Sequence, residues 1–310
     1  MQYNLLTFLV CFGTGALASP VCSNETGDQI TLNLLPESIS SLQLALFLEN
    51  LEIAFARSAA ANITATDTQF GDSFNESIAN IVTQEVGHQT ALQNILLAAG
   101  EDLVAPCQYE FPSRNTSEFV ELACSLSIVA VGAGLTIVAD LPDEDKGLAT
   151  GLASIVATEA RHNTFFESAV GNETSSVPFE TPIPETWALN LALGFVVPGS
   201  CPVIPPFPIL PSLTANMELT QGTRQVSFTW DPAQEPMRIE SNKALFAAWL
   251  HELGPPTYTA LNRTTTSSGT ASFPEGIEGT VFVALTAQDH FQSMDELSAS
   301  TLAGPAVLFV

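Results

Sequence analysis

Basic residues are scarce in this chain. Its 310 residues include 8 Lys and Arg against 33 Asp and Glu, which gives a formal net charge of -25. A surface this acidic repels nucleic acid and anionic membranes, so both are excluded as partners. Histidine is also rare, with 4 residues, and the shortage of lysine argues against phosphate-handling chemistry. The sequence shows no Ser/His/Asp nucleophile pattern and no Gly-rich phosphate loop.

Charge of either sign is missing between Leu122 and Ala139. The stretch is long enough for a membrane span, but acidic residues lie on both sides of it and the nearest basic residue after it is Lys146. We therefore predict no membrane span, and instead a helix buried on nearly all sides by its own bundle and by a second domain or subunit. Self-association through this helix is one expectation.

Two short segments repeat a Glu followed three residues later by a His: Glu85 with His88, and Glu159 with His162. At this spacing both side chains leave one face of a helix, and in each segment that face is otherwise apolar. Charged groups directed at a core are costly unless they are paired or bound to metal. Two such pairs on two helices of an antiparallel bundle predict a dinuclear carboxylate site.

Helical patterns and their breakers predict an up-down bundle over residues 19–202, which covers four helices and a short fifth one. The expected helices run from Pro36 to about Asn62, from Asp67 to near Gly100, from Ser117 to Asp140, from Asp143 to Val170 and from Glu185 to Val197.

Beyond the bundle, a Pro-rich linker is predicted at residues 203–212 and a small immunoglobulin-like β-sandwich at 213–310. Alternation with a period of two marks strands at 225–230, 280–286 and 305–310. Trp230 and Trp249 are interpreted as core residues of this domain, and His251 and His290 as surface or loop residues.

The first 18 residues read as a secretory signal that ends in Ala16-Leu17-Ala18. Removal of this segment leaves four cysteines, an even number that suggests two disulfides in an exported protein. We favour Cys107–Cys124 and Cys22–Cys201. Six N-glycosylation sequons support a secreted glycoprotein: Asn24, Asn62, Asn75, Asn115, Asn172 and Asn262.

The helix around Leu48-Glu49-Asn50-Leu51-Glu52 and the two Glu/His pairs resemble the ferritin-like domain of secreted fungal proteins of the stress-response or sexual-development type, to which plant desiccation-related proteins are similar. Ser200-Cys201-Pro202 and the closing Leu302 to Val307 also resemble the fungal members. The resemblance covers about residues 30–202 well and the remainder more loosely. It implies a ferritin-like four-helix bundle, and thus an α+β multidomain protein.

The resemblance also implies a carboxylate from helix one, assigned to Glu49 with Glu52 as the alternative. Helix three departs from the family, because the expected Glu falls near Ser127, and a Tyr common in helix one is Ala56 here. The expected ligands are Glu49, Glu85, His88, Glu159 and His162, for one or two iron or manganese ions, with oxidase or ferroxidase-like activity. The alternative is a metal-free extracellular interaction or cell-surface protein, with cell-wall or other extracellular partners, in which each Glu/His pair is a buried ion pair.

Overall fold

A computed structural model describes residues 31–62, 71–169, 177–220, 223–232, 243–291 and 293–310. These residues pack into two compact units. Described residues of the first unit are 31–62, 71–130, 137–169 and 195–206. The second contains 131–136, 177–194 and the described part of 207–310.

Four long helices build most of the first unit. They are α1 (Pro36–Asn62), α2 (Gly71–Ala98), α3 (Thr116–Asp140) and α4 (Ala149–Ala169). The side chain of Asn115 caps α3 by accepting a hydrogen bond from the backbone N–H of Glu118. The predicted fourth helix begins later than expected, because Asp143–Leu148 forms a 3₁₀ turn before α4.

Leu, Ile and Phe side chains fill the core between these helices, and α1 and α3 are apolar around most of their circumference. Both helices are long and apolar enough to cross a membrane by length and composition alone. Most of each stretch is buried inside the protein.

The cysteine pairing differs from the prediction. Cys107 forms a disulfide with Cys201, whereas Cys124 is a free thiol buried in α3. The predicted Cys107–Cys124 and Cys22–Cys201 pairs are therefore wrong; Cys22 itself lies outside the described residues. The physical reason is a short antiparallel contact in which Tyr109 bridges Val196, which brings the chain after α2 alongside the chain that leads to Cys201.

The second unit contains a short helix, α5 (Glu185–Leu193), and a sheet with a second short helix, α6 (Met294–Ser300), before its last strand. The sheet has seven antiparallel strands in the order β1-β2-β5-β4-β3-β6-β7. Their bounds are β1 Leu213–Thr220, β2 Thr223–Trp230, β3 Leu245–Leu250, β4 Thr257–Arg263, β5 Ser268–Ser272, β6 Thr280–Thr286 and β7 Thr301–Phe309.

This sheet is barrel-like because its two ends meet. Gly304 of β7 donates its backbone N–H to the carbonyl of Pro211, just before β1. Gly304 has a φ of 107°, and an added Cβ would lie 3.1 Å from Leu213 and 3.3 Å from Ala284. Only glycine fits such a position without strain. Trp230 and Trp249 lie in the apolar core, as predicted.

We expect loss of the Cys107–Cys201 bond, through Cys107→Ala with Cys201→Ala, to lower the free energy of unfolding by about 2–5 kcal/mol. The bond closes a loop of 94 residues, and its removal returns conformational entropy to the unfolded chain. Urea unfolding followed by circular dichroism measures the loss. Cys124→Ala is the control. An unchanged unfolding midpoint in the double variant, or a Cys107–Cys124 peptide in non-reducing mass spectrometry, would contradict the pairing.

Gly132 of α3 lies against the chain before α5, since its carbonyl accepts the backbone N–H of Ile183 and an added Cβ would lie 2.7 Å from the Thr181 carbonyl. We expect Gly132→Ala to destabilise the protein by about 1–3 kcal/mol through overpacking. At Gly87 of α2 nothing lies within 4 Å, so Gly87→Ala should instead stabilise by up to about 1 kcal/mol. Equal unfolding midpoints for the two variants in urea would refute this contact.

Candidate metal centre

Three helices of the bundle direct carboxylates and imidazoles at one another inside the protein. Glu49 lies on α1, Glu85 and His88 on α2, and Glu159 and His162 on α4. The three glutamates are 2–4% exposed. The i, i+3 spacing places each His on the same helix face as its Glu, so packing of the apolar stripes brings both pairs inward together.

Each of two glutamates faces both imidazoles. Glu85 places Oε1 3.0 Å from Nδ1 of His162 and Oε2 3.1 Å from Nδ1 of His88. Glu159 places Oε1 2.9 Å from Nδ1 of His88 and Oε2 3.1 Å from Nδ1 of His162. The ring centroids of the two imidazoles lie 6.4 Å apart. A carboxylate with one oxygen toward each of two imidazoles has the position of a bridging ligand in a two-metal site.

Glu49 completes the half of the site around His88. Its Oε2 lies 3.6 Å from His88 Nδ1, and one ligand atom each from Glu49, Glu85, His88 and Glu159 lie within 4.8 Å of one another. Oε2 of Glu49 and Oε1 of Glu159 are buried without a hydrogen bond, although each lies near His88. One imidazole N–H cannot satisfy three carboxylates, so these oxygen atoms are available to a cation.

Gln84 orients His162. The Nε2–H of His162 donates to Oε1 of Gln84 at 2.7 Å. In a neutral imidazole this leaves a lone pair on Nδ1, which is the atom that faces Glu85 and Glu159. Metal-bound histidines are usually held by such a partner on the other ring nitrogen. Gln84 was not predicted as a site residue, because no spacing rule in the sequence distinguishes it from other polar residues of α2.

The imidazoles hold protons tightly in the metal-free protein. Burial alone would lower their pKa, but the close approach of Glu159 and of the other nearby glutamates outweighs it, raising the pKa of His88 to about 12 and of His162 to about 9. For Glu85, burial alone would raise the pKa, but the hydrogen bonds from His162 and His88 outweigh burial and lower it to about 2. Ion pairs between glutamates and imidazolium groups therefore hold the site together.

The remaining negative charge is poorly compensated. Burial, reinforced by repulsion from the neighbouring carboxylates, raises the pKa of Glu49 well above its usual value, despite the opposing attraction of His88. Burial and repulsion by Glu159, Glu85 and Glu49 do the same to the pKa of Glu52. No Lys or Arg is among the buried residues in the described part of the chain. The site favours added positive charge, whether protons or a metal cation.

The two imidazoles differ in their access to solvent. The side chain of His88 is 12% exposed and that of His162 is 4% exposed. The next residue, Gln89, has a different partner. Its side-chain N–H donates a hydrogen bond to Asn50 of α1, and Asn50 donates one to the carbonyl of Val104. The His88 half is therefore the more accessible half of the site.

Helix α3 adds no acidic ligand. Ser127, where a family carboxylate was expected, is a buried serine, and no acidic residue lies between Glu121 and Asp140. His251 and His290 belong to the second unit. There His251 Nε2 donates to the carbonyl of Glu278, and His290 pairs with its neighbour Asp289.

The structure describes the side chains of three of the six predicted glycosylation sites. Asn75, Asn115 and Asn262 are exposed. Asn62 ends α1, but its side chain is not described, and Asn24 and Asn172 lie outside the described residues. Glycosylation remains a prediction at all six positions.

Comparison with known proteins identifies the helical region. Residues 37–172 match the model of the ferritin-like domain. The curated protein rds1 of Schizosaccharomyces pombe (strain 972 / ATCC 24843) is 24% identical over 304 residues, an alignment that covers 79% of this chain and 73% of the relative. The chain therefore contains a ferritin-like domain and has a weakly similar relative in a fungus.

Two solved structures are also similar to this chain. One is described as ferritin like, diiron-carboxylate proteins from Bacillus anthracis str. Ames, with 16% identity and a TM-score of 0.39. The aligned region covers 43% of this chain and 95% of the other. The other is described as a conserved hypothetical protein, rv2844, from Mycobacterium tuberculosis, with 16% identity and a TM-score of 0.37. The aligned region covers 46% of this chain and 96% of the other.

We expect the thermal unfolding midpoint of the chelator-treated protein to fall as pH rises from about 6.5 to 9. A pKa raised in the folded state means that stability is complete below the usual histidine pKa of 6.5 and is lost as pH rises. The contribution of His162 to the free energy of unfolding is lost by about pH 9, and the contribution of His88 is lost at higher pH. Circular dichroism of the helices gives the midpoint.

The variant His162→Gln is the control, and its midpoint should change less over the same pH interval. On the acid side, the lowered pKa of Glu85 predicts a loss of stability as pH falls from about 4.5 to about 2. A wild-type midpoint that is constant between pH 6.5 and 9 would show that the imidazoles are not protonated partners of the glutamates.

Proposed function

We propose that the ferritin-like domain binds one or two iron or manganese ions between α1, α2 and α4. The observation that carries this proposal is the arrangement of Glu85 and Glu159, each of which directs one oxygen at each imidazole. Two shared carboxylates with one imidazole on each side form the ligand pattern of a two-metal carboxylate centre.

The chemistry of the donor set fits these metals. Carboxylate oxygens and imidazole nitrogens suit iron and manganese, and the described residues offer no thiolate at the site that would favour softer metals. Glu49 and His88 would hold one ion, His162 would hold the other, and Glu85 and Glu159 would contact both. Gln84 would keep Nδ1 of His162 free for the metal by accepting the proton of Nε2.

Iron in this centre would supply oxidase or ferroxidase-like chemistry, in which dioxygen is reduced and Fe(II) or an organic molecule is oxidised. The residues of the chain would keep the site dry and fix its charge. The partial exposure of His88 provides the more open approach for a small reactant.

A metal-free structural role is the second candidate, and the ion pairs favour it. Protonated His88 and His162 already neutralise Glu85 and Glu159 with short contacts. Buried pairs of this kind add little net stability, so they could persist in a protein that serves outside the cell as an interaction or cell-surface module.

We also propose that the protein is an exported glycoprotein with a role in stress or development. The signal-like residues 1–18 support export, as does the Cys107–Cys201 disulfide, since such bonds persist in oxidising compartments. The exposed Asn115 and Asn262 are suitable for glycosylation, and treatment of the secreted protein with a glycosidase would reveal it as a loss of mass.

The sheet region is proposed to be immunoglobulin-like. Strands β1, β2, β5 and β4 follow one another in the sheet order, and so do β3, β6 and β7. These groups correspond to the ABED and CFG sheets of the immunoglobulin fold. Strand β4 pairs with both β3 and β5, which joins the two groups.

We expect the natively secreted protein to contain near-stoichiometric iron or manganese by mass spectrometry, and Glu159→Ala to contain only background metal. Glu76→Ala, at an exposed position of α2, is the matched control and should retain the metal. A metal ion at 100 times its Kd should stabilise the wild type by about 2.7 kcal/mol. A folded wild-type protein that takes up neither ion would instead support the structural role.

A further inference from the structure

Helix α1 carries a second buried glutamate. Glu52 lies three residues after Glu49, on the same side of the helix, and is 7% exposed. Burial raises the pKa of Glu52, and repulsion by three nearby carboxylates, those of Glu159, Glu85 and Glu49, raises it further. A buried carboxylate whose charged neighbours share its sign is costly unless a cation is added.

The two halves of the candidate centre are unequal without Glu52. The half around His88 has Glu49 in addition to the shared Glu85 and Glu159. Within the described residues, the carboxylates close to His162 are the two shared ones. In a symmetric centre the missing carboxylate comes from the third helix, and α3 offers the buried Ser127 at the expected place.

We propose that Glu52 is the sixth protein ligand of a two-metal centre and serves the ion held by His162. Helix α1 then supplies both terminal carboxylates, which replaces the usual arrangement of one from the first helix and one from the third. This inference rests on the proposed metal-binding function. It accounts for four buried glutamates and two imidazoles, which is the complete ligand set of a di-iron or di-manganese carboxylate site.

The dimensions are compatible with this role. Residues three apart on a helix have Cβ atoms about 5–6 Å apart. Two ions in a dinuclear site lie about 3.5–4 Å apart. Glu49 and Glu52 could therefore each reach one ion from neighbouring positions on α1. The charge also balances better, because four carboxylates with two neutral imidazoles match two divalent ions.

The test is Mn(II) binding to the chelator-treated full-length protein. Wild type, Glu52→Gln and Glu52→Asp are compared, with Glu76→Gln as a surface control. Stoichiometry is measured by equilibrium dialysis, and electron paramagnetic resonance distinguishes a single Mn(II) from a magnetically coupled pair. We expect two coupled ions in the wild type, the control and Glu52→Asp, and one uncoupled ion in Glu52→Gln.

The outcomes separate this inference from the function on which it rests. Wild-type protein without bound Mn(II) would overturn the proposed metal centre. Two ions in Glu52→Gln, or one ion in the wild type, would overturn only the role of Glu52. Loss of both ions from a folded Glu52→Gln protein would also overturn it, since Glu52 would then be needed for the first ion. Glu52→Leu is a second uncharged variant if Glu52→Gln does not fold.

Discussion

Uncompensated negative charge in a dry interior is the constraint on which the helical unit depends. Four buried glutamates, at positions 49, 52, 85 and 159, share two imidazoles and no buried Lys or Arg among the described residues. Four negative charges against at most two positive ones leave an excess of two, which water cannot screen. The metal-free protein can reduce it by binding protons, and a metal-bound protein can do so with cations. Both solutions keep α1, α2 and α4 together through the same polar atoms.

The helical part of this arrangement could be predicted from sequence because its signals are local. A Glu and a His three residues apart share a helix face whatever the rest of the fold does, so the inward direction of both pairs follows from periodicity. Glu49 required the additional expectation of a carboxylate on helix one. Glu52, three residues further along α1, fits the same sequence pattern as Glu49. Only the structure shows that both side chains are buried, so that both could serve as ligands.

Features that depend on contacts between distant segments could not be predicted in the same way. The pairing of Cys107 with Cys201 depends on the bridge between Tyr109 and Val196, which joins irregular segments without a repeating pattern. The contact between Gln84 and His162 joins α2 to α4 and depends on their rotation about their axes. The strands at 225–230 and 280–286 were predicted correctly because alternation is local, whereas their order in the sheet is not.

The two imidazoles are unequally buried, so the two halves of the centre differ in their access to solvent. Water and small solutes reach the partly exposed His88 more readily than the more buried His162, which is held by Gln84. If the centre binds two ions, a competing chelator would therefore reach the ion beside His88 before the ion beside His162.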